Sequence, residues 1–224
     1  IKHGRIAFDN IKKVTIFLLY GSFTELILIA SSLMFRLPLP VTAVQILWTN
    51  LAEDSLPNVA LSFEPGEPDV MKRPPLKKSE PILDAEAKSI IFIIGITTDI
   101  LLFGLFVYLY HFSSLELEHI RTIIFAKLGI DAFFNVFSIK SLKTPIYRYN
   151  IFNNPYLVAA TIAGLFLMIG AVHVPALNAL LGTVPMTLKN WGVVAGLAAL
   201  NIIGVETVKW FFRKRALSVV EKYV

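Results

Sequence analysis

The chain has 224 residues, of which 55% are apolar and only 17% charged, and its mean hydropathy is +0.66. A soluble domain of this size does not carry so much apolar sequence, so the composition points to a membrane protein. With 12 Gly, 12 Pro and no Cys, it excludes collagen-like and low-complexity classes, a disulfide framework and a zinc–thiolate site.

Crossing the hydrocarbon core takes about 20 mostly apolar residues. Six stretches qualify, roughly 14–35, 41–60, 89–110, 120–139, 156–177 and 190–211, and they predict an all-α, polytopic six-helix membrane bundle. The first stretch has no small-residue cleavage site and so is not a signal peptide. A start at Ile1 rather than Met suggests a fragment or a processed chain. The expected divisions are a stalk at 1–13, an ion-site helix pair at 14–60 and a loop at 61–88. A supporting four-helix bundle at 89–211 and a tail at 212–224 complete the chain.

The basic residues sort by side. Of the 21 Lys and Arg, 17 fall in the N-terminal segment, the second-to-third connection, the fourth-to-fifth connection and the C-terminal end. The positive-inside rule then makes both termini and the long loop cytoplasmic, in the plasma membrane. The net charge of +5 has this topological explanation, and no nucleic-acid partner is expected. No phosphate-cradling glycine loop and no HExxH pair occurs, and the four His are scattered near span ends as loop residues.

Six acids lie inside the spans: Glu25, Glu53, Asp54, Asp99, Asp131 and Glu206. Each costs about 2.5–3.5 kcal/mol at a helix centre, so they must face a protein interior and be paired or hydrated. The second span holds VQILWTNLAEDSLP, in which Asn50, Glu53 and Asp54 share one helix face. Pro57 cannot donate to the carbonyl of Glu53, four residues back, so this helix should be kinked or unwound near 53–57, freeing backbone oxygen beside two carboxylates. That is the discontinuous-helix arrangement that coordinates hard cations. In the first span Ser22 and Glu25 are i, i+3, and the RLPLP turn at 36–40 makes the two spans antiparallel neighbours, with Glu25 and Asp54 at matching depth.

The remaining acids read as structural. Lys127 and Asp131 are i, i+4 and should pair, with Asp99 at comparable depth as a second partner for the ammonium. Lys127 also has the character of a fixed internal counter-cation. Glu206 should pair with Lys209, and the GxxxG of Gly192 and Gly196 should pack helices.

The segments GRIAFDNIKK, PLPVTAVQILWTNLAEDSLPNVALSFEP and DVMKRPPLKKSEPIL resemble the C-terminal membrane region of P-type cation-transporting ATPases of the calcium-pump-like branch. The resemblance covers essentially the whole chain and fades after about residue 140. It implies that the six spans are that family's fifth to tenth transmembrane helices and that 1–13 is the stalk of the fifth. It also implies a ligand set. Ser22 stands at an Asn position and Glu25 at the Glu of the fifth helix, Asn50 and Asp54 match the sixth, Glu53 replaces a Thr, and Ala132 stands where two-calcium pumps carry an eighth-helix carboxylate.

The function implied is the membrane part of an ATP-driven cation pump. Ca2+ is the favoured cargo, with H+, Na+, K+ and Mg2+ as alternatives. No cofactor is expected in this chain. ATP and Mg2+ belong to the upstream phosphorylation, nucleotide-binding and actuator domains, which with the first four helices and the lipid bilayer are the implied partners. Without those domains the chain cannot hydrolyse ATP and should bind no nucleotide. The competing readings are a free-standing six-span channel or secondary transporter, and a non-catalytic membrane subunit of a split pump.

Overall fold

In the computed structural model the described residues are 1–67, 69–72, 81–83, 87–88, 91–92, 95–141, 146 and 149–221, without the side chains of 53, 54, 97, 208, 209 and 212–221. Residues 68, 73–80 and 84–86 of the cytoplasmic loop expected at 61–88 therefore lie outside them. The elements are α1 (Lys2–Met34), α2 (Ala43–Trp48), a π-helical segment π1 (Thr49–Asp54), α3 (Ser55–Ser62), α4 (Gly95–Phe112), α5 (Leu117–Lys140), α6 (Pro155–His173), α7 (Pro175–Leu181) and α8 (Leu188–Glu221). Among the described residues there is no strand, and the architecture is an all-α membrane bundle.

Among the described residues four helices are long and apolar enough to cross a bilayer: α1, α5, α6 and residues 188–207 of α8. The other two expected spans take different forms. The second is cut into α2, π1 and α3, and the third contains a shorter apolar helix, Thr98–Phe112. The expected stalk and first span form one uninterrupted helix, and α8 continues to Glu221, into the segment expected as a tail.

Helix α1 ends at Phe35 and Arg36, where Arg36 takes a left-handed φ of 55°. The Arg36 and Leu37 amides donate back to Leu33 and Ser32, closing orphan carbonyls of the last turn. Beyond the two prolines, Thr42 opens α2 with a capping box: its hydroxyl accepts from the Gln45 amide, and Gln45 Oε1 accepts from the Thr42 amide at 2.9 Å. Arg121 Nε donates to Leu39 O at 2.9 Å and ties this turn to α5.

The second span changes winding one turn earlier than Pro57 alone suggests, over Thr49–Asp54. A proline ring crowds the carbonyl four residues back, and a wider π turn ahead of it relieves that clash. The Ser55 hydroxyl donates to Asn50 O, five residues back, at 2.8 Å. Pro57 then falls in the first turn of α3, which continues π1 without a break, and supplies no N–H to the turn before it.

Helix α5 is the centre of the bundle, buried on nearly every face, and α8 makes the most extensive contact with it. Its apolar side chains fill the bundle on several sides, and its buried polar ones, Lys127, Asp131 and Asn135, find partners within it. One apolar cluster gathers Phe106, Ile124, Phe125, Phe133 and Met168 around its N-terminal part, and a second gathers Ile16, Phe17, Leu61, Val136 and Leu157 around its C-terminal part. Gly164 of α6 meets Phe133 so closely that a Cβ there would lie 2.2 Å from the ring. Among the described residues Gly192 and Gly196 face no other helix: a Cβ at either meets no atom within 4 Å, and α8 buries Val194, Ala198, Asn201 and Val205 instead.

At the C-terminal end of α5 a polar knot joins α1 to the helix ends. Asn10 Nδ2 donates to Ser62 O and Glu64 O at 3.0 and 2.9 Å, and Arg5 reaches Val70 O. Glu64 accepts from Asn154 at 2.8 Å and pairs with Lys140 at 3.6 Å. Burial pushes the Glu64 carboxyl above the usual range, against the Asn154 amide and the Lys140 and Lys13 ammoniums, which pull it down. Asn10→Ala strips the donor from two carbonyls at once and is expected to cost about 1–3 kcal/mol. Hydrogen exchange at the amides of 60–66 should accelerate; unchanged protection there would show that the clamp does not hold the stalk.

Candidate functional site

The candidate site lies where α1 passes π1 and α5. The buried stripe of α1 includes Phe17, Tyr20, Thr24 and Leu28, at helical spacing, with Glu25 at its edge and half-buried. The RLPLP turn reverses the chain, and Asn50 Nδ2 donates to Glu25 Oε2 at 3.5 Å across the two spans. Asn50 and Ser22 are exposed. The side chains of Glu53 and Asp54 lie outside the described residues, and their backbone closes π1.

Beside Glu25 is a cavity of about 30 Å³ lined by Phe17, Tyr20, Gly21, Thr24, Glu25, Thr49, Leu128, Asp131 and Ala132. That is room for a water or a single small ion. Of the five expected ligands only Glu25 lines it among the described side chains, and Ser22 does not. The sequence reading missed Tyr20, Thr24 and Thr49. The available signal was two polar residues, Tyr20 and Thr24, at i and i+4 within an otherwise apolar buried stripe. Among the described residues no three His, Asp or Glu side chains converge as a metal cluster.

The expected ion pair of α5 is present: Lys127 is buried and salt-bridged to Asp131. Asp99 does not share in it. Both Asp99 carboxylate oxygens are without a hydrogen-bond partner among the described residues. A second network surrounds the Tyr20 hydroxyl, which accepts from Asn135 at 2.8 Å and Asn201 at 3.3 Å and lies 3.3 Å from Thr98 Oγ1. Thr98 in turn donates to Asn201 Oδ1 at 2.7 Å. These contacts tie α1, α4, α5 and α8 together at one depth. Glu206 accepts the Ile146 amide at 3.2 Å; the side chain of Lys209, its expected partner, lies outside the described residues.

A central buried helix, an antiparallel pair with a π interruption, and acids gathered between them define a polytopic helical membrane domain with a polar site in its interior. Residues 38–211 match the family described as "Cation transporting ATPase, C-terminus". The chain belongs to that family, as the C-terminal membrane region of a calcium-pump-like P-type ATPase. It is 34% identical to a calcium-transporting ATPase of Bacillus subtilis, over 89% of this chain and 22% of that protein. It is 29% identical to calcium-transporting ATPase 1 of Bacillus cereus, over 93% of this chain and 25% of that protein. A shorter match, 44% over 80 residues, covers 36% of this chain and 6% of a P-type sodium-transporting ATPase of Plasmodium falciparum. The chain thus spans about a quarter of the length of the curated relatives it matches.

Proposed function

We propose that this chain supplies the cation-binding half of the membrane path of an ATP-driven pump, with Ca2+ as cargo. The carrying observation is the Glu25–Asn50 contact across α1 and π1 beside a small cavity that Glu25 and Asp131 line. Glu25 contributes charge, Asn50 a carboxamide oxygen, and Glu53 and Asp54, one turn along π1, two further carboxylates; Ser22 is a peripheral ligand. Hard oxygen ligands of this kind suit Ca2+. The calcium-transporting relatives favour the same ion, whereas the sodium-transporting one keeps Na+ as the alternative.

Conformational work would arrive along α1. That helix runs without a break from the polar knot at Asn10 to the site at Glu25, so a push from upstream domains on the stalk is carried to the ligands. Those domains hold ATP and Mg2+, and with the first four helices they complete the pump. In this reading the protein sits in the plasma membrane with both termini cytoplasmic, as the positive-inside rule requires.

The test is ATP-driven 45Ca2+ accumulation in sealed inverted vesicles carrying the assembled pump. Uptake that a calcium ionophore releases is expected. Uptake of 22Na+ with none of 45Ca2+ would reassign the cargo, and no ATP-driven uptake of either would sink the pump reading.

A further inference from the structure

The Asp99 carboxyl is the polar group that the proposed cation path leaves unexplained. It sits on α4, 2% exposed. Neither of its oxygens has a hydrogen-bond partner among the described residues, and the buried Thr24 hydroxyl that faces it is likewise unpartnered. The ammonium that the sequence offers it is committed elsewhere, to Asp131.

A carboxylate buried without a counter-ion, and with only one neutral hydroxyl able to donate to it, pays most of its desolvation and favours taking up a proton instead. Among the described side chains around it, only the neutral Thr24 hydroxyl can help to hold the charge. From α1 the facing side chains are Tyr20 and Thr24. The Tyr20 hydroxyl lies in the field of both Asp99 and Asp131. On α5 the charge of Asp131 is matched by Lys127. From α8 the nearest polar group in the network is the neutral Asn201. Each neighbour is thus neutral, negative or already paired.

We propose that Asp99 is a proton-binding site in the membrane, separate from the Glu25–Asn50 pair, with its acid form hydrogen-bonded to Thr24. A proton balances the site without moving any helix: the protonated carboxyl gains one O–H donor, and Thr24 Oγ1, with no partner of its own, accepts it. Thr24 also lines the cavity beside Glu25. The proton site and the proposed cation site therefore share a wall while using different carboxyls.

Infrared spectroscopy of the full 224-residue chain in an ester-free detergent, with 13C-carboxyl-labelled aspartate, tests this directly. At neutral pH the wild type should show a protonated aspartic C=O stretch that moves with the label. The band should vanish in Asp99→Asn, persist in Asp131→Asn and Asp54→Asn, and change frequency in Thr24→Val. Only carboxylate bands in the labelled wild type would overturn the proposal, as would an acid band that survives Asp99→Asn. Loss of the band on adding Na+ or K+ would also overturn it, by making the site one for a metal cation. If Asp99→Asn does not fold, an acid band that persists in the Asp131→Asn/Asp54→Asn double variant supports the assignment, and its loss there refutes it.

Discussion

Glu25→Gln in the assembled pump is expected to raise the cation concentration needed for phosphorylation from ATP by more than about 100-fold. At an effective dielectric near 20, one unit charge at a ligand distance of about 2.4 Å is worth roughly 14 kcal/mol to a dication. If the amide oxygen and relaxation of the shell recover three quarters of it, about 3.5 kcal/mol remains, which exceeds a 100-fold change. Side-chain volume is conserved, and Gln can still accept from Asn50, so folding should survive. Asp54→Asn carries the same expectation. Glu206→Gln is the control: that carboxyl accepts a backbone amide from Ile146, in the connection between α5 and α6, away from the cavity-lining residues, and should leave the cation dependence within about twofold. Equal losses in Glu25→Gln and Glu206→Gln would mean that the effect is one of folding, and an unchanged cation dependence in Glu25→Gln would remove it from the ligand set.

What was legible in the sequence follows from how locally each feature is encoded. Lys127 and Asp131 are one helical turn apart, so their pairing needed no knowledge of the fold. The approach of Glu25 to Asn50 needed only a tight turn and a count of residues to either side of it. Pro57 announced an interrupted helix, but a proline specifies which hydrogen bond is missing and not how the chain accommodates it. The answer, a π segment ending three residues before the proline, depends on the walls around Thr49 and Asn50.

The failures are tertiary. Gly192 and Gly196 have the spacing of a packing motif, yet the face of α8 that meets α5 carries Val194, Ala198, Asn201 and Val205. Asp99 was assigned to Lys127 by depth alone, and depth says nothing of rotation about the helix axis. The hub at Tyr20 draws on four helices as far apart in sequence as Tyr20 and Asn201, which periodicity within one helix cannot reveal. Ser22, placed in the ligand set by resemblance, shows how a matched position can carry a residue that does not reach the cavity.

The Lys127–Asp131 pair should behave as a structural unit that also fixes the charge beside the cavity. Lys127→Met leaves Asp131 buried with no counter-ion and is expected to cost about 3–5 kcal/mol; Asp131→Asn strands the ammonium at a similar cost. The double variant, Lys127→Met with Asp131→Asn, removes both charges and should recover most of either loss, because the desolvation of both ions disappears with them. Thermal unfolding of the four chains in detergent gives the coupling directly. Losses that simply add would show that the two side chains act independently. The same cycle bears on stoichiometry, since Asp131 and Ala132 both line the cavity. With the only carboxylate contributed by α5 neutralised by Lys127, and an alanine where the resemblance puts a ligand, a second divalent ion lacks charge on that side. Lys127→Met is therefore expected to be the variant that gains affinity for an added cation at the cavity, despite its lower stability. A Lys127→Met chain that loses stability without any change in cation binding would confine the pair to packing.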